Sequence, residues 1–519
     1  MKNKIASIDT KGNPIQKEIN YIPFRYIIAI LLTVLETLAV IAILVVLAKY
    51  VPYFYIAILL TEIFVVLNII NSNDNPDYKI PWLLLVLLVP VAGFMIYFMY
   101  YSRELPKKFR KKFAMIQESQ IKDDSSEFTS LKNEDILAYR QAQQLCKTAD
   151  THLYQNTRIT YFDVGEKMFD SILTDLKKAE KFIFLEFFII EEGVFWNSIL
   201  EILKDKCSQG VEVKIVYDDI GCMTTLPGDY YKELSKYGIS AVPFAKLRGQ
   251  ANNEFNNRSH RKIMVIDGKI GYTGGVNIAD EYINLKVRFG HWKDTAIRLC
   301  GESVSEFTKM FLIDYSMNVK HEVNTKEYLF SYQCEDSGYV IPFGSGPRPM
   351  YDKEVGKSVI INMLNQAKQY VYITTPYLII DNELCQAIEN AAIRGIDVKI
   401  VTPHIPDKKL VFSMTRSSYR RFIENGAEIY EYEPGFIHAK MYISDDEFGM
   451  IGTINLDYRS LVHHFENGVW MYRCDVISDM KQDFLATMEQ SIKMEQDTLK
   501  DNLMKRFIRA VVRIFAPLL

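Results

Sequence analysis

Little in this chain suits metal or redox chemistry. Its seven cysteines, at positions 146, 207, 222, 300, 334, 385 and 474, are scattered through 519 residues without a C-x-x-C pair. That removes the common zinc and dithiol signatures and matches the cysteine usage of a reducing compartment. Charge of one sign is also missing: the formal net charge is −3, so no global basic surface invites nucleic acid. No small-residue cleavage site follows the first apolar run, so a removed signal peptide is not expected.

Long apolar runs, by contrast, are plentiful near the start. Residues 26–47, 51–70 and 81–101 each approach the ~20 residues that a helix needs to cross hydrocarbon, which makes 26–101 the expected transmembrane region behind an N-terminal tail, 1–25. Glu36 and Glu62 interrupt the first two runs; carboxyl groups at that depth are expected to be protonated or paired between helices. Just beyond the third run, Arg103, Lys107, Lys108, Arg110, Lys111 and Lys112 crowd into ten residues. The positive-inside tendency then puts this end, and everything after it, in the cytoplasm. Three spans would leave Lys2, Lys4, Lys11, Lys17 and Arg25 on the outer side, whereas two would not; the sequence leaves both counts open.

The polar stretch 102–135 has no sustained apolar period and reads as a juxtamembrane linker. Beyond it the chain repeats itself. "AEKFIFLEFFII" from Ala179 is echoed by "AKQYVYITTPYLI" from Ala367, and "GVEVKIVYDD" from Gly210 by "GIDVKIVTPH" from Gly395. Each pair brackets an amphipathic segment ending in a glycine C-cap, giving strand, helix, strand. The expected fold class is therefore α/β: two related halves, 136–335 and 336–500, each a mixed β-sheet flanked by helices. The last residues, 501–519, space Arg506, Arg509 and Arg513 at helical intervals between apolar side chains, as in an amphipathic helix that either lies on anionic lipid or docks on the domain itself.

Each half carries one polar device. "HRKIMVIDG" has His260, Lys262 and Asp267; "HAKMYISD" has His438, Lys440 and Asp445, every member 178 residues after its counterpart. Gly274 and Asn277 follow the first, Gly452 and Asn455 the second, again in register. On a strand the His and Lys of each pair share a face, while Asp267 and Asp445 fall at turns on the opposite parity. Two imidazoles, two ammonium groups and two amides converging on one pocket suit a phosphodiester. Lys262, Lys440, Asn277 and Asn455 would hold its oxygens; one His would attack while the other protonates the leaving alkoxide. No metal or other cofactor is called for.

H-x-K-x-x-x-x-D with G-x-x-N, twice in one chain, resembles the phospholipase D superfamily. Within it, "NPDYKIPWLLLVLLVPVAG", "YDDIG", "RSHRKIMVIDG", "GGVNIADEY", "EYEPGFIHAKM" and "NLDYRS" resemble the bacterial cardiolipin synthases over nearly the whole chain. The resemblance implies two phospholipase D-like halves behind transmembrane helices, and phosphatidylglycerol in the cell membrane as the partner. It also implies a transfer that yields cardiolipin and glycerol through a phosphohistidine, with His260 as nucleophile and His438 as general acid. It carries His260, Lys262, Asp267, His438, Lys440 and Asp445 as catalytic residues and makes Asp294 and Glu466, which open the next apolar strand of each half, the acids that orient the imidazoles. Two departures stand out: Thr453 where a serine is common, and Gly275 at the equivalent place in the first half. Water or another alcohol as acceptor, and a non-catalytic lipid-binding scaffold, are the rival expectations. The remaining histidines, 152, 291, 321, 404, 463 and 464, are expected to be structural or superficial.

Overall fold

The computed structural model describes residues 4–8, 14–18, 24–50, 52–100, 125–246, 257–319, 323–348, 350–351 and 353–496, with 504 and 512. The basic run at 103–112, most of the expected linker and nearly all of the expected C-terminal helix lie outside the described residues.

Four apolar helices come first: α1 (Phe24–Tyr50), α2 (Pro52–Asn71), α3 (Pro76–Leu88) and α4 (Pro90–Tyr100). Side chains are described over 30–45 in α1 and 55–71 in α2, and among the described residues no helix is long and apolar enough to cross a membrane. Glu36 is exposed and Glu62 half-buried. The third expected span, 81–101, is not one helix. The chain breaks at Val89, because Pro90 lacks an amide hydrogen and disfavours helical backbone in the residue before it. It then doubles back: the Trp82 and Tyr97 rings meet edge to face with centroids 6.0 Å apart, and Gly93 lies against Leu85 and Val86 so closely that a Cβ would fall 2.4 Å from the Leu85 carbonyl oxygen. The Asn68 amide of α2 donates to the Tyr97 hydroxyl at 2.9 Å, so the end of α4 returns to the level of the α2–α3 turn.

The expected linker also contains order. Residues 125–134 are helical, held by buried Leu131 and by the Tyr339 hydroxyl, which donates to Glu134 at 2.6 Å. Asp135 then caps the helix Ile136–Ala149 by accepting from the Leu137 and Ala138 amides at 2.7 and 2.9 Å. That second helix lies on the second half, where Gln141 donates to Gln366 at 2.7 Å.

After a hairpin of β1 (Lys4–Ile8) and β2 (Pro14–Glu18), the first half contributes β3 (Thr157–Phe162), β4 (Phe182–Phe187), β5 (Glu212–Asp218), β6 (Ser240–Phe244), β7 (Lys262–Ile266), β8 (Ile270–Gly274), β9 (His291–Lys293) and β10 (Ala296–Gly301). All but β9 form one sheet in the order β3-β10-β8-β7-β4-β5-β6. Strand β4, "FIFLEF", is buried at every position, as a strand covered on both faces must be. The second half supplies β11 (Tyr339–Ser345), β12 (Tyr370–Thr374), β13 (Leu378–Ile379), β14 (Asp397–Pro403), β15 (Glu428–Tyr432), β16 (Gly435–Ile437), β17 (Met441–Ser444), β18 (Phe448–Gly452), β19 (Leu456–Asp457), β20 (Glu466–Tyr472) and β21 (Ser491–Lys493). Its main sheet runs β11-β20-β18-β17-β12-β14-β15-β21, the same order with one edge strand added. The buried helix Val304–Asn318 touches strands of both sheets, so a single apolar core continues from one half into the other. The Cys300 and Cys334 side chains meet sulfur to sulfur, a proximity that their spread along the chain had not suggested.

Candidate active site

The two His-x-Lys segments do not simply line up side by side; each is stitched to the other half. The backbone amide of His260 donates to the Phe465 carbonyl at 2.9 Å, and that of His438 donates to the Lys293 carbonyl at 2.7 Å. Ser259 bridges Phe465 in parallel fashion, and β16 pairs in parallel with β9. Phe465 and Lys293 directly precede Glu466 and Asp294. The acid of each half therefore reaches the imidazole of the other: Glu466 meets His260 Nδ1 at 3.0 Å through both oxygens, and Asp294 Oδ2 meets His438 Nδ1 at 2.7 Å. With Nδ1 committed to a carboxylate, Nε2 of each ring is the nitrogen left for chemistry.

Both imidazoles line one cavity of ≈ 350 Å³, together with Asn277, Asn455, Trp292, Phe436 and Phe188. Lys262 and Lys440 do not line it. They are buried behind the rings, each ammonium donating to the carbonyl of its own histidine, Lys262 at 2.7 Å. Burial of two cations without a facing anion in contact is costly, and it pushes Lys262 down to about 7 and Lys440 to about 8. Burial, then the same ammoniums, hold His260 well below its ordinary value; His438 is lowered to about 4, less far because Asp294 opposes the shift. The two acids differ. Desolvation lifts Glu466 to about 7, while His438 and Lys440 keep Asp294 below the usual carboxylate range.

The departures noted in the sequence have a physical basis. Thr453 donates its hydroxyl to Glu466, as does Ser460 at 2.7 Å. At the equivalent Gly275 a Cβ would lie 2.0 Å from Asp294 Oδ1. The shorter acid sits closer to the backbone, so only glycine fits beside it.

Asp267 and Asp445 are not at the cavity. Asp267 accepts from the amides of Glu180, Lys181 and Phe182 at 2.7–2.9 Å, and Asp445 from those of Lys368, Gln369 and Tyr370 at 2.8–3.0 Å. Both take a positive φ, 55° and 58°, in the turn after the catalytic-motif strand. Their work is to pin the start of the central strands β4 and β12, which corrects their inclusion among catalytic residues. Asn277 is engaged at both ends, donating to the Tyr282 hydroxyl at 2.7 Å and accepting from the Ile189 amide at 3.1 Å. Asn455 Oδ1 is buried without a hydrogen-bond partner among the described residues.

Asp218 is a scaffold for the loop that leads into His260. It takes the Arg258 guanidinium at 2.9–3.1 Å and the Ser259 amide at 3.1 Å. Glu186, which interrupts β4, accepts the Ser259 hydroxyl from below, and burial raises its carboxyl well above the usual range.

One residue was missed. His464 lines the cavity with its ring centroid 5.7 Å from that of His260, and among the described residues neither of its nitrogens has a hydrogen-bond partner. Its nearest carboxylate oxygen, on Glu466, is 3.8 Å away, and together His260, His464 and Glu466 bring three possible ligand atoms within 4.8 Å of one another. The signal was positional: His464 stands two residues before Glu466, as Trp292 stands two before Asp294, and Trp292 packs on His438 at 5.5 Å. Of the other histidines, His152 meets Glu306, His291 meets Tyr432, His404 meets Glu431 and the His463 ring lies 5.5 Å from that of Tyr78, while His321 lies outside the described residues.

Known proteins fit this geometry. Residues 172–310 and 360–488 match the family described as cardiolipin synthase, PLD-like domain, and residues 63–99 match a phospholipase D-nuclease N-terminal family. The chain is 32% identical to a cardiolipin synthase of Halalkalibacterium halodurans over 90% of its own length and 94% of the relative's. An uncharacterized protein of Streptococcus mutans is 43% identical over 88% of this chain and 99% of that one. Among solved structures, the phosphatidylserine synthase of Haemophilus influenzae superposes with a TM-score of 0.57 at 18% identity, covering 73% of this chain and 99% of that one; it shares the fold.

Proposed function

Because the chain belongs to the cardiolipin synthase family, with its paired phospholipase D-like halves, we infer that it joins two phosphatidylglycerol molecules into cardiolipin and releases glycerol. The observation that carries the reading is the crossed pair: two imidazoles on one cavity, each tied through Nδ1 to a carboxylate of the opposite half. In this reading the two Nε2 atoms work on opposite sides of one phosphorus.

In the first step His260 Nε2 forms a bond to phosphorus, the bond from phosphorus to the glycerol oxygen breaks, and His438 gives that oxygen a proton. In the second, the free hydroxyl of another phosphatidylglycerol loses its proton to His438 and its oxygen attacks the same phosphorus. The bond to His260 then breaks, and both histidines return to their starting forms. The unequal acids support this division. His260 stays neutral beside a carboxyl that itself titrates near 7, as a nucleophile must, whereas ionised Asp294 favours an imidazolium at His438. The phosphodiester anion opposes the ammoniums that lower His438, which moves it toward the value a general acid needs. Lys262 and Lys440 stabilise the charge that develops at phosphorus from behind the rings. Asn277 and Asn455 contact its oxygens from the wall, and His464 takes a hydrogen bond from the substrate.

The family associates the chain with membranes. The catalytic halves sit on the cytoplasmic face, a reading supported by the basic run at 103–112. His260→Ala and His438→Ala should each abolish cardiolipin formation from labelled phosphatidylglycerol. Wild-type rates in either variant would overturn the assignment, and phosphatidic acid as the sole product of the wild-type chain would make water the acceptor instead.

A further inference from the structure

The third apolar run folds as a hairpin rather than a rod, and that decides what it can do in a bilayer. α3 holds 13 residues, about 20 Å of helix, against a hydrocarbon core of about 30 Å. Its tip exposes a contiguous apolar group, with Leu87 54% exposed, Leu88 76% and Val89 48%, and Ile80 at 48% and Phe98 at 60% extend the exposed apolar surface toward the base. Its base is buried, with Val65, Ile69, Tyr78, Trp82 and Tyr97 packed together. The tip has no protein partner among the described residues, whereas the base is packed on α2 and docked through Asn75 and Asp77.

That docking leads to the active site. Asn75, the N-cap of α3, donates to Asp381 at 2.7 Å. Asp77 accepts from the Asn382 amide at 2.8 Å and from the Tyr458 hydroxyl at 3.3 Å. The Tyr78 ring lies 5.5 Å from that of His463. Tyr458 lines the catalytic cavity, and the π-helical turn Arg459–His463 leads directly into His464 and Glu466. The base of the hairpin therefore grips the segment that builds one wall of the site.

We propose that α3 and α4 form a re-entrant wedge that enters only the leaflet facing the catalytic halves, with the Asn75–Asp77 contact fixing the cavity mouth at that leaflet. The occupant of the exposed tip is the acyl layer of a phospholipid bilayer. Three observations favour it over a protein partner: the tip is wholly apolar, the helix at about 20 Å is too short to cross a hydrocarbon core of about 30 Å, and the chain leaves the hairpin into a stretch holding six basic residues suited to anionic headgroups. A wedge also returns the chain to the side it came from. That lipid enters the cavity sideways from the leaflet rests on the proposed function; the wedge itself does not.

The test uses the full chain in cells and in vesicles. Asn73→Cys, in the α2–α3 turn, and Ser102→Cys, just past α4, are probed with a membrane-impermeant thiol reagent against the labelling of the parent chain. The wedge requires both to react only after the cell is opened. Reaction of one from outside and the other only from inside would mean a full span and overturn the proposal. A fluorophore on Leu88→Cys in phosphatidylglycerol vesicles should be quenched most by lipids labelled midway along the acyl chain; quenching only by aqueous iodide would overturn it too. Asp77→Ala should lower the ratio of activity on vesicles to activity on detergent-dispersed lipid about tenfold, as loss of a half-buried carboxylate with two hydrogen bonds would. An unchanged ratio would remove the coupling between wedge and cavity. Absence of cardiolipin from the wild-type chain would defeat the functional reading and leave the labelling pattern as it stands.

Discussion

Gly275→Ala adds one methyl group, and the structure makes it a probe of the crossed acid pair. The new Cβ would lie 2.0 Å from Asp294 Oδ1, 2.7 Å from its Cγ and 2.8 Å from Oδ2. Reaching an ordinary separation of 3.4 Å from Oδ1 requires a retreat of about 1.4 Å, the difference between the two distances. The bond from Asp294 Oδ2 to His438 Nδ1, now 2.7 Å, does not survive such a shift. Misplacement of a catalytic group by about 1 Å costs roughly 100-fold in rate, and loss of the acid that orients a histidine costs up to about 10⁴-fold. Overpacking should cost only about 1–3 kcal/mol of stability, so the variant should fold. Cardiolipin formation in phosphatidylglycerol vesicles, alongside a thermal melt, separates the two effects. Thr453→Ala is the control from the other half: it removes one of several hydrogen bonds to Glu466 and should cost no more than about tenfold. A Gly275→Ala chain that melts normally and works at more than half the wild-type rate would refute the claim that Asp294 serves His438.

Other outcomes follow from the same geometry. Lys262 and Lys440 are lowered to about 7 and about 8 and are useful only as ammoniums, so they lose protons as pH rises through those values; kcat/KM should fall across pH 7–8, and a flat profile to pH 9 would contradict their role. Asp445→Ala removes the acceptor of three backbone amides and should cost about 2–3 kcal/mol in denaturant unfolding, while the rate of the folded chain stays within about twofold; a catalytic defect without loss of stability would restore it to the active site. His464→Phe keeps a ring against His260 and removes both unpartnered nitrogens, so KM for phosphatidylglycerol should rise about tenfold, and an unchanged KM would make the residue mere packing.

Much of the fold could be read in the chain because the repeat is explicit. The apolar runs beginning at Ala179 and Ala367 became the equivalent strands β4 and β12, and the constant separation of 178 residues placed both His-x-Lys pairs at matching points of two sheets with the same strand order. What could not be read depends on how the halves meet. A repeat gives each half its own acid, and only tertiary packing decides that Glu466 serves His260 and Asp294 serves His438. His464 escaped because it has no histidine counterpart; its twin is Trp292, and comparing the two chemically unlike residues requires the sheet register. The third apolar run misled for another reason. Hydropathy measures length and not direction, and the local signal for reversal, Pro90 followed by Gly93 at the point of closest helix approach, lies inside an unbroken apolar stretch.

The central claim is that His260 carries the phosphatidyl group. It is tested most directly with a phosphatidyl ester whose leaving group needs no proton, such as p-nitrophenol, given to the His438→Ala chain and followed by peptide mass mapping. The account predicts a phosphatidyl adduct on His260, absent when His260 is also replaced. An adduct on any other residue, or none in a chain that still releases p-nitrophenol, would contradict it.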